Sequence, residues 1–111
     1  MKDLFEQSFQ ISQKDPNGDI LANHLGKLFE EGGEFAQSVN KFIGTKTLHE
    51  NDTKESIQEN IAEEAADQIQ CIFIICKLSG ISYEMIKEKL KEKNQTYSDY
   101  LETKNELSYE S

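Results

Sequence analysis

The chain contains no arginine and no tryptophan, a single proline (Pro16) and only two cysteines. With all twelve basic residues lysine, any anion clamp must be built from ammonium groups, backbone amides or a bound metal cation. Those twelve face 21 acidic residues, a formal net charge of −9 over 111 residues. Such a surface repels phosphate backbones, so nucleic acid is not an expected partner. No stretch approaches the ~20 apolar residues of a membrane span, so no membrane association is expected. Met1–Glu6 lacks the apolar core of a signal peptide. Cys71 and Cys76 lie five apart in an apolar stretch, a spacing that turns them ~140° from each other on a helix at ~100° per residue. They cannot pair and read as reduced core thiols, which points to a cytoplasmic protein.

What is present fits one small domain over residues 1–111, with its core in 19–104. Apolar residues make up 36% of the chain, enough for a thin core. A monomer of this size buries only about two-thirds of its unfolded surface, so a homodimer or homotetramer is expected. Lys14–Asp19, around Pro16 and Gly18, is a turn signal. Before it, Leu4, Phe5, Phe9 and Ile11 predict a short amphipathic helix. After it, with Asp19 or Asn23 as cap, Leu21, Leu25, Leu28, Phe29, Phe35, Val39, Phe42 and Ile43 recur at helical spacing up to Gly44. Asn51, Asp52 and Thr53 offer caps for a third helix, which is apolar on nearly all sides at 69–78 and stops at Ser79-Gly80. That pattern is expected of a central helix covered by several neighbours. Ser82 starts a last helix with Tyr83, Ile86, Leu90, Tyr97 and Leu101 on one face, and a frayed acidic tail is expected after about Lys104. No segment alternates with period two. The fold class is all-α: three main helices plus a short N-terminal helix in a bundle, completed by oligomerisation.

Carboxylates carry the chemistry. Glu30, Glu31 and Glu34 form E-E-x-x-E on the second helix; Glu63, Glu64 and Asp67 form E-E-x-x-D on the third. Residues three apart on a helix share a face, so Glu31 with Glu34 and Glu64 with Asp67 are two carboxylate pairs. Leu28, Phe35 and Val39 flank the first pair, and Ile61, Ala65 and Ile69 the second, which puts both pairs at or beside the apolar stripe. Packing the two helices together would converge four carboxylates, a self-repelling cluster unless a cation neutralises it. Hard oxygen ligands without Cys or His point to Mg²⁺, with Mn²⁺ as the other candidate. A di-iron carboxylate bundle would need Glu-x-x-His pairs, and neither His24 nor His49 follows a Glu by three. The aromatics Phe29, Phe35, Phe42 and Phe73 read as core.

E-E-x-x-E followed by E-x-x-D in a helical chain of about this length resembles the MazG-like nucleoside triphosphate pyrophosphohydrolases. The resemblance runs from His24 to Tyr97 and includes Lys27-Leu28-Phe29-Glu30-Glu31-Gly32-Gly33-Glu34 and Lys89–Tyr97. It implies that Glu31, Glu34, Glu64 and Asp67 hold Mg²⁺ and that Lys89, Lys93 and Asn94 approach the nucleotide. It also implies a (deoxy)nucleoside triphosphate substrate, hydrolysed to the monophosphate and pyrophosphate, with Glu30 or Glu63 left to orient or deprotonate the attacking water. Gln68 and Gln70 stand where the family pattern is apolar, and no arginine follows the Lys/Asn segment. Two other functions are open to the same residues. One is the related phosphoribosyl-ATP pyrophosphohydrolase activity; the other is a non-enzymatic acidic helical interaction protein whose carboxylates only solubilise it, and on the last helix Lys87, Lys89, Lys91 and Lys93 can equally be solvated partners of Glu84, Glu88 and Glu92.

Overall fold

The computed structural model describes residues 1–16, 21–44 and 47–110, with side chains as far as Leu107. Four helices follow one another: α1 (Lys2–Ser12), α2 (Leu21–Phe42), α3 (Lys54–Leu78) and α4 (Tyr83–Glu110). No strand occurs among the described residues, so the chain is all-α, with three long helices and a short first one. The helices fall into two compact units, Met1–Gly80 and Ile81–Ser111.

Helix ends follow local chemistry. α2 stops where Gly44 takes the left-handed conformation (φ 81°), and α3 where Gly80 does (φ 78°), a backbone state that costs glycine almost nothing. Thr53 caps α3 through a reciprocal pair: its Oγ1 accepts from the Ser56 N–H at 3.0 Å, and the Ser56 Oγ accepts from the Thr53 N–H at 2.9 Å. Ser82 caps α4, its Oγ accepting from the Met85 N–H at 3.2 Å. Of the expected caps for α2, Asp19 and most of the Pro16–Asp19 turn lie outside the described residues, and Asn23 lies inside the helix.

In the first unit α3 is the common partner of α1 and α2. α1 docks through Phe5, fully buried, whose ring meets Phe73 edge-on at 5.2 Å and 76°. Lys77 pairs with Glu6 at 3.2 Å while its ammonium lies 5.8 Å from the centres of both Phe5 and Phe9. α2 and α3 meet along two stripes that step alternately by four and three. On α2 these are His24, Leu28, Glu31, Phe35 and Ser38; on α3 they are Ile57, Ile61, Glu64, Gln68, Cys71, Ile75 and Leu78. Every one is buried or half-buried, and such spacing keeps one seam of a helix on its partner. Lys41 and Asp52 join the far end of α2 to the start of α3 at 3.3 Å.

Several expectations from the sequence are corrected here. Phe29 and Phe42 are 77% and 50% exposed; Phe29 follows the seam residue Leu28 by one, about 100° round the helix, and of the four aromatics Phe73 is buried and Phe35 half-buried. The apolar segment of α3 is not covered on all sides: Cys71, Phe73 and Ile74 are buried, while Ile69 and Ile72 remain 41% and 38% exposed. The second unit is α4 with its short entry. It does not fray at Lys104 but continues as helix to Glu110, since residues 83–110 contain neither glycine nor proline.

Candidate functional site

Two positions in the α2–α3 seam are occupied by carboxylates where the pattern calls for apolar residues. Glu31 and Glu64 take up these central steps, and Glu34, one turn beyond Glu31, adds a third acid from the exposed flank. One carboxylate oxygen from each of Glu31, Glu34 and Glu64 lies within 4.8 Å of the others. Among the described residues, no N–H or O–H group donates to Oε2 of Glu31 or Oε2 of Glu64, and both atoms are shut off from solvent.

The electrostatics follow from that placement. Burial pushes the Glu64 carboxyl up to about 7, with hydrogen bonds to Glu31 and Glu34 and their negative charges adding to it. Glu31 is raised as well, first by burial; the hydrogen bond with Glu64 opposes this, Glu34 and Asp67 reinforce it, and Lys27 opposes it. Hydrogen bonds between carboxyls require a proton. When all three acids are ionised none can donate, and the two buried oxygens stand without a donor. Filling that need takes either a proton or a cation. The donor set is three oxygens with no nitrogen or sulfur, which suits a hard divalent ion such as Mg²⁺ or Mn²⁺.

The remaining candidates are placed as follows. Asp67 is exposed and lies outside the group of three, yet close enough for its charge to raise Glu31 and Cys71. Glu30 and Glu63 are exposed; each precedes a seam carboxylate by one residue and so points about 100° away from it. Cys71 follows Glu64 by seven residues in the same stripe. Burial pushes its thiol up, Lys27 opposes this, and Glu31 and Asp67 add to it. Cys76 is raised by burial too, and both thiols are free, as the spacing requires. His24 lies half-buried on α2, and His49 in a loop where its backbone N–H donates to Asp52 Oδ2 at 2.7 Å.

Lys89, Lys93 and Asn94 belong to α4 in the second unit and are exposed. Lys89 pairs with Glu92 at 3.3 Å and Lys91 with Glu88 at 3.5 Å. Lys89 and Lys93 also edge an open apolar hollow of about 430 Å³ with Ile81, Met85, Ile86 and Leu90. Sequence reasoning gave Gln68 no role, but it holds the seam step after Glu64, and its Nε2 would stand 3.6 Å from a Cβ at Gly32. The signal was there: Gln68 follows Glu64 by four residues. No protein-family model, curated protein or solved structure matches the chain.

Proposed function

We propose that the chain is a nucleotide pyrophosphohydrolase that uses Mg²⁺ (or Mn²⁺) to split a (deoxy)nucleoside triphosphate into its monophosphate and pyrophosphate. The observation that carries this reading is the pair of seam carboxylates, Glu31 and Glu64, each with a buried oxygen that no N–H or O–H donor among the described residues satisfies. A solvated acidic face would not place charge in a seam, where an uncompensated carboxylate is costly. The motif order E-E-x-x-E then E-x-x-D supports it from the side of resemblance.

Glu31, Glu34 and Glu64 would hold the cation, with Asp67 completing the set. Bound there, the cation neutralises phosphate oxygens and lowers the pKa of a water. Glu30 and Glu63 face outward beside the seam and are the available proton acceptors for the attacking water. Lys89, Lys93 and Asn94 are assigned to the nucleotide, and a homodimer or homotetramer is the assembly proposed.

The test is phosphate release, coupled through inorganic pyrophosphatase, from a panel of ribo- and deoxyribonucleoside triphosphates and phosphoribosyl-ATP, with Mg²⁺ and with EDTA. Turnover that EDTA abolishes is expected. No turnover on any member of the panel would overturn the proposal and leave an acidic helical interaction protein.

A further inference from the structure

The second unit is α4 with its short entry and has no other helix of its own, yet α4 carries an unbroken seam. Tyr83, Ile86, Leu90, Tyr97, Tyr100 and Leu107 follow in alternating steps of three and four, with Lys93 and Lys104 at the two remaining positions. Leu90, Tyr97, Tyr100 and Leu107 are all exposed. Most helical stability in a protein comes from packing such a face, so the seam calls for cover. Charge decides which cover it takes. Residues 83–94 carry four lysines against three glutamates, whereas residues 95–110 carry one lysine against four acids. The first half is weakly positive and the second negative, and the two complement each other only when a second α4 runs the opposite way.

We propose that α4 pairs with α4 of a second copy of the chain, antiparallel and centred on Gln95. This names the surface of the self-association proposed above; it rests on that part of the reading and not on the carboxylates or the reaction. Centring there sets Tyr83 level with the partner's Leu107, Ile86 with the partner's Lys104, Leu90 with the partner's Tyr100 and Lys93 with the partner's Tyr97. Each seam lysine then lays its stem along an apolar or aromatic side chain while its ammonium reaches water or a ring face. A parallel pair in register would instead set Lys93 on the partner's Lys93 and Lys104 on the partner's Lys104, like charges inside the seam. The open hollow of about 430 Å³ on α4 has Ile86, Lys89, Leu90 and Lys93 among its walls. Their i, i+3, i+4, i+7 spacing is that of the hole which receives one side chain of a facing helix, and the partner's Tyr100 is level with it. On the flank, Lys89 comes within reach of the partner's Asp99; along one helix the two are ten residues apart, about 15 Å.

That separation makes Lys89 and Asp99 a test of orientation. Sedimentation equilibrium of the full chain at low ionic strength compares wild type, Lys89→Glu, Asp99→Lys and the double variant carrying both. Each single variant is expected to weaken association roughly 10-fold, since the contact occurs twice in a symmetric pair and turns from attraction to repulsion. The double variant should recover most of the loss, because each new glutamate then faces a new lysine on the other copy. It still lacks the pair between Lys89 and Glu92 within one helix, so recovery reports the contact between copies. Association that either single variant leaves unchanged would overturn the α4 pairing and leave self-association through another surface. Weakening by both without recovery in the double variant would overturn the antiparallel orientation. A wild-type chain that is monomeric at tens of micromolar would remove the proposed assembly and this pairing with it.

Discussion

Glu64 is the residue at which structure, charge and proton binding are most tightly linked. Its carboxyl is held up to about 7, chiefly by burial, whereas in the unfolded chain it titrates near the ordinary glutamate value of ~4.3. Between those values the native state holds a proton that the unfolded state has released. The stabilisation is complete below the unfolded value and is lost as pH rises through about 7. Metal-free protein is therefore expected to melt at a lower temperature at pH 8 than at pH 5, with Glu64→Gln removing much of that difference. Melting curves in EDTA at the two pH values test this; an unchanged pH dependence in Glu64→Gln would show that the carboxyl is not strained. Asp67→Asn should raise the metal-free melting temperature less than Glu64→Gln, because Asp67 is exposed and outside the group of three. Both should weaken stabilisation by added Mg²⁺, which acts through native-state binding. The spacing E-x-x-E and E-x-x-D made the carboxylates legible in the sequence. It gave Asp67 the same weight as Glu64, because periodicity reports a face of a helix and not how deep along that face a partner helix reaches.

At the scale of elements, the helices are carried by caps that single residues decide. Thr53 and Ser56 satisfy one donor each at the start of α3, so Thr53→Ala is expected to cost about 1 kcal/mol. Ser56→Ala made in that background should add less than it does alone, because the pair acts reciprocally. A double-mutant cycle by urea denaturation measures the coupling, and strict additivity would contradict a working capping box. α1 depends on Phe5 more than on any other side chain, since it is fully buried against Phe73. Phe5→Ala should cost roughly 3–5 kcal/mol, and hydrogen exchange should show the α1 amides losing protection first. Uniform loss across α2 and α3 would mean that α1 is not a separate docking unit. Thr53, Ser79-Gly80 and Ser82 were readable as helix ends because capping is local chemistry. The exposure of Phe29 and Phe42 was not, because both lie within a stretch of helical apolar spacing, and only the partner's position separates the seam from its neighbours. The helical tail beyond Lys104 was misread on the same ground: acidity suggested fraying, whereas the absence of helix breakers lets α4 run on.

At the scale of the molecule, each unit keeps apolar surface that its own helices leave uncovered. In the first, a groove of about 390 Å³ between α1 and α3 is lined by Leu4, Ile11, Ile69 and Phe73 among others. In the second, Leu90 and Tyr97 are 58% and 64% exposed on the stripe of α4 that also carries Ile86 and Leu101. A lone amphipathic helix is held by the burial of its apolar face rather than by propensity. Exposed apolar patches of this kind mark contact surfaces, and a net charge of −9 opposes non-specific collapse. The chain is therefore expected to sediment at a defined multiple of 12.7 kDa at micromolar concentration. Leu90→Glu should shift the equilibrium towards the monomer. In a protein already monomeric the same substitution would replace an exposed leucine by a charged helix former, and its stability should change by no more than about 0.5 kcal/mol. Sedimentation velocity and thermal melting on both proteins separate the cases. Coupled loss of mass and of melting temperature would show that α4 is stabilised by another copy. A wild-type chain that is monomeric at tens of micromolar, with Leu90→Glu neutral, would show that these faces stay in water.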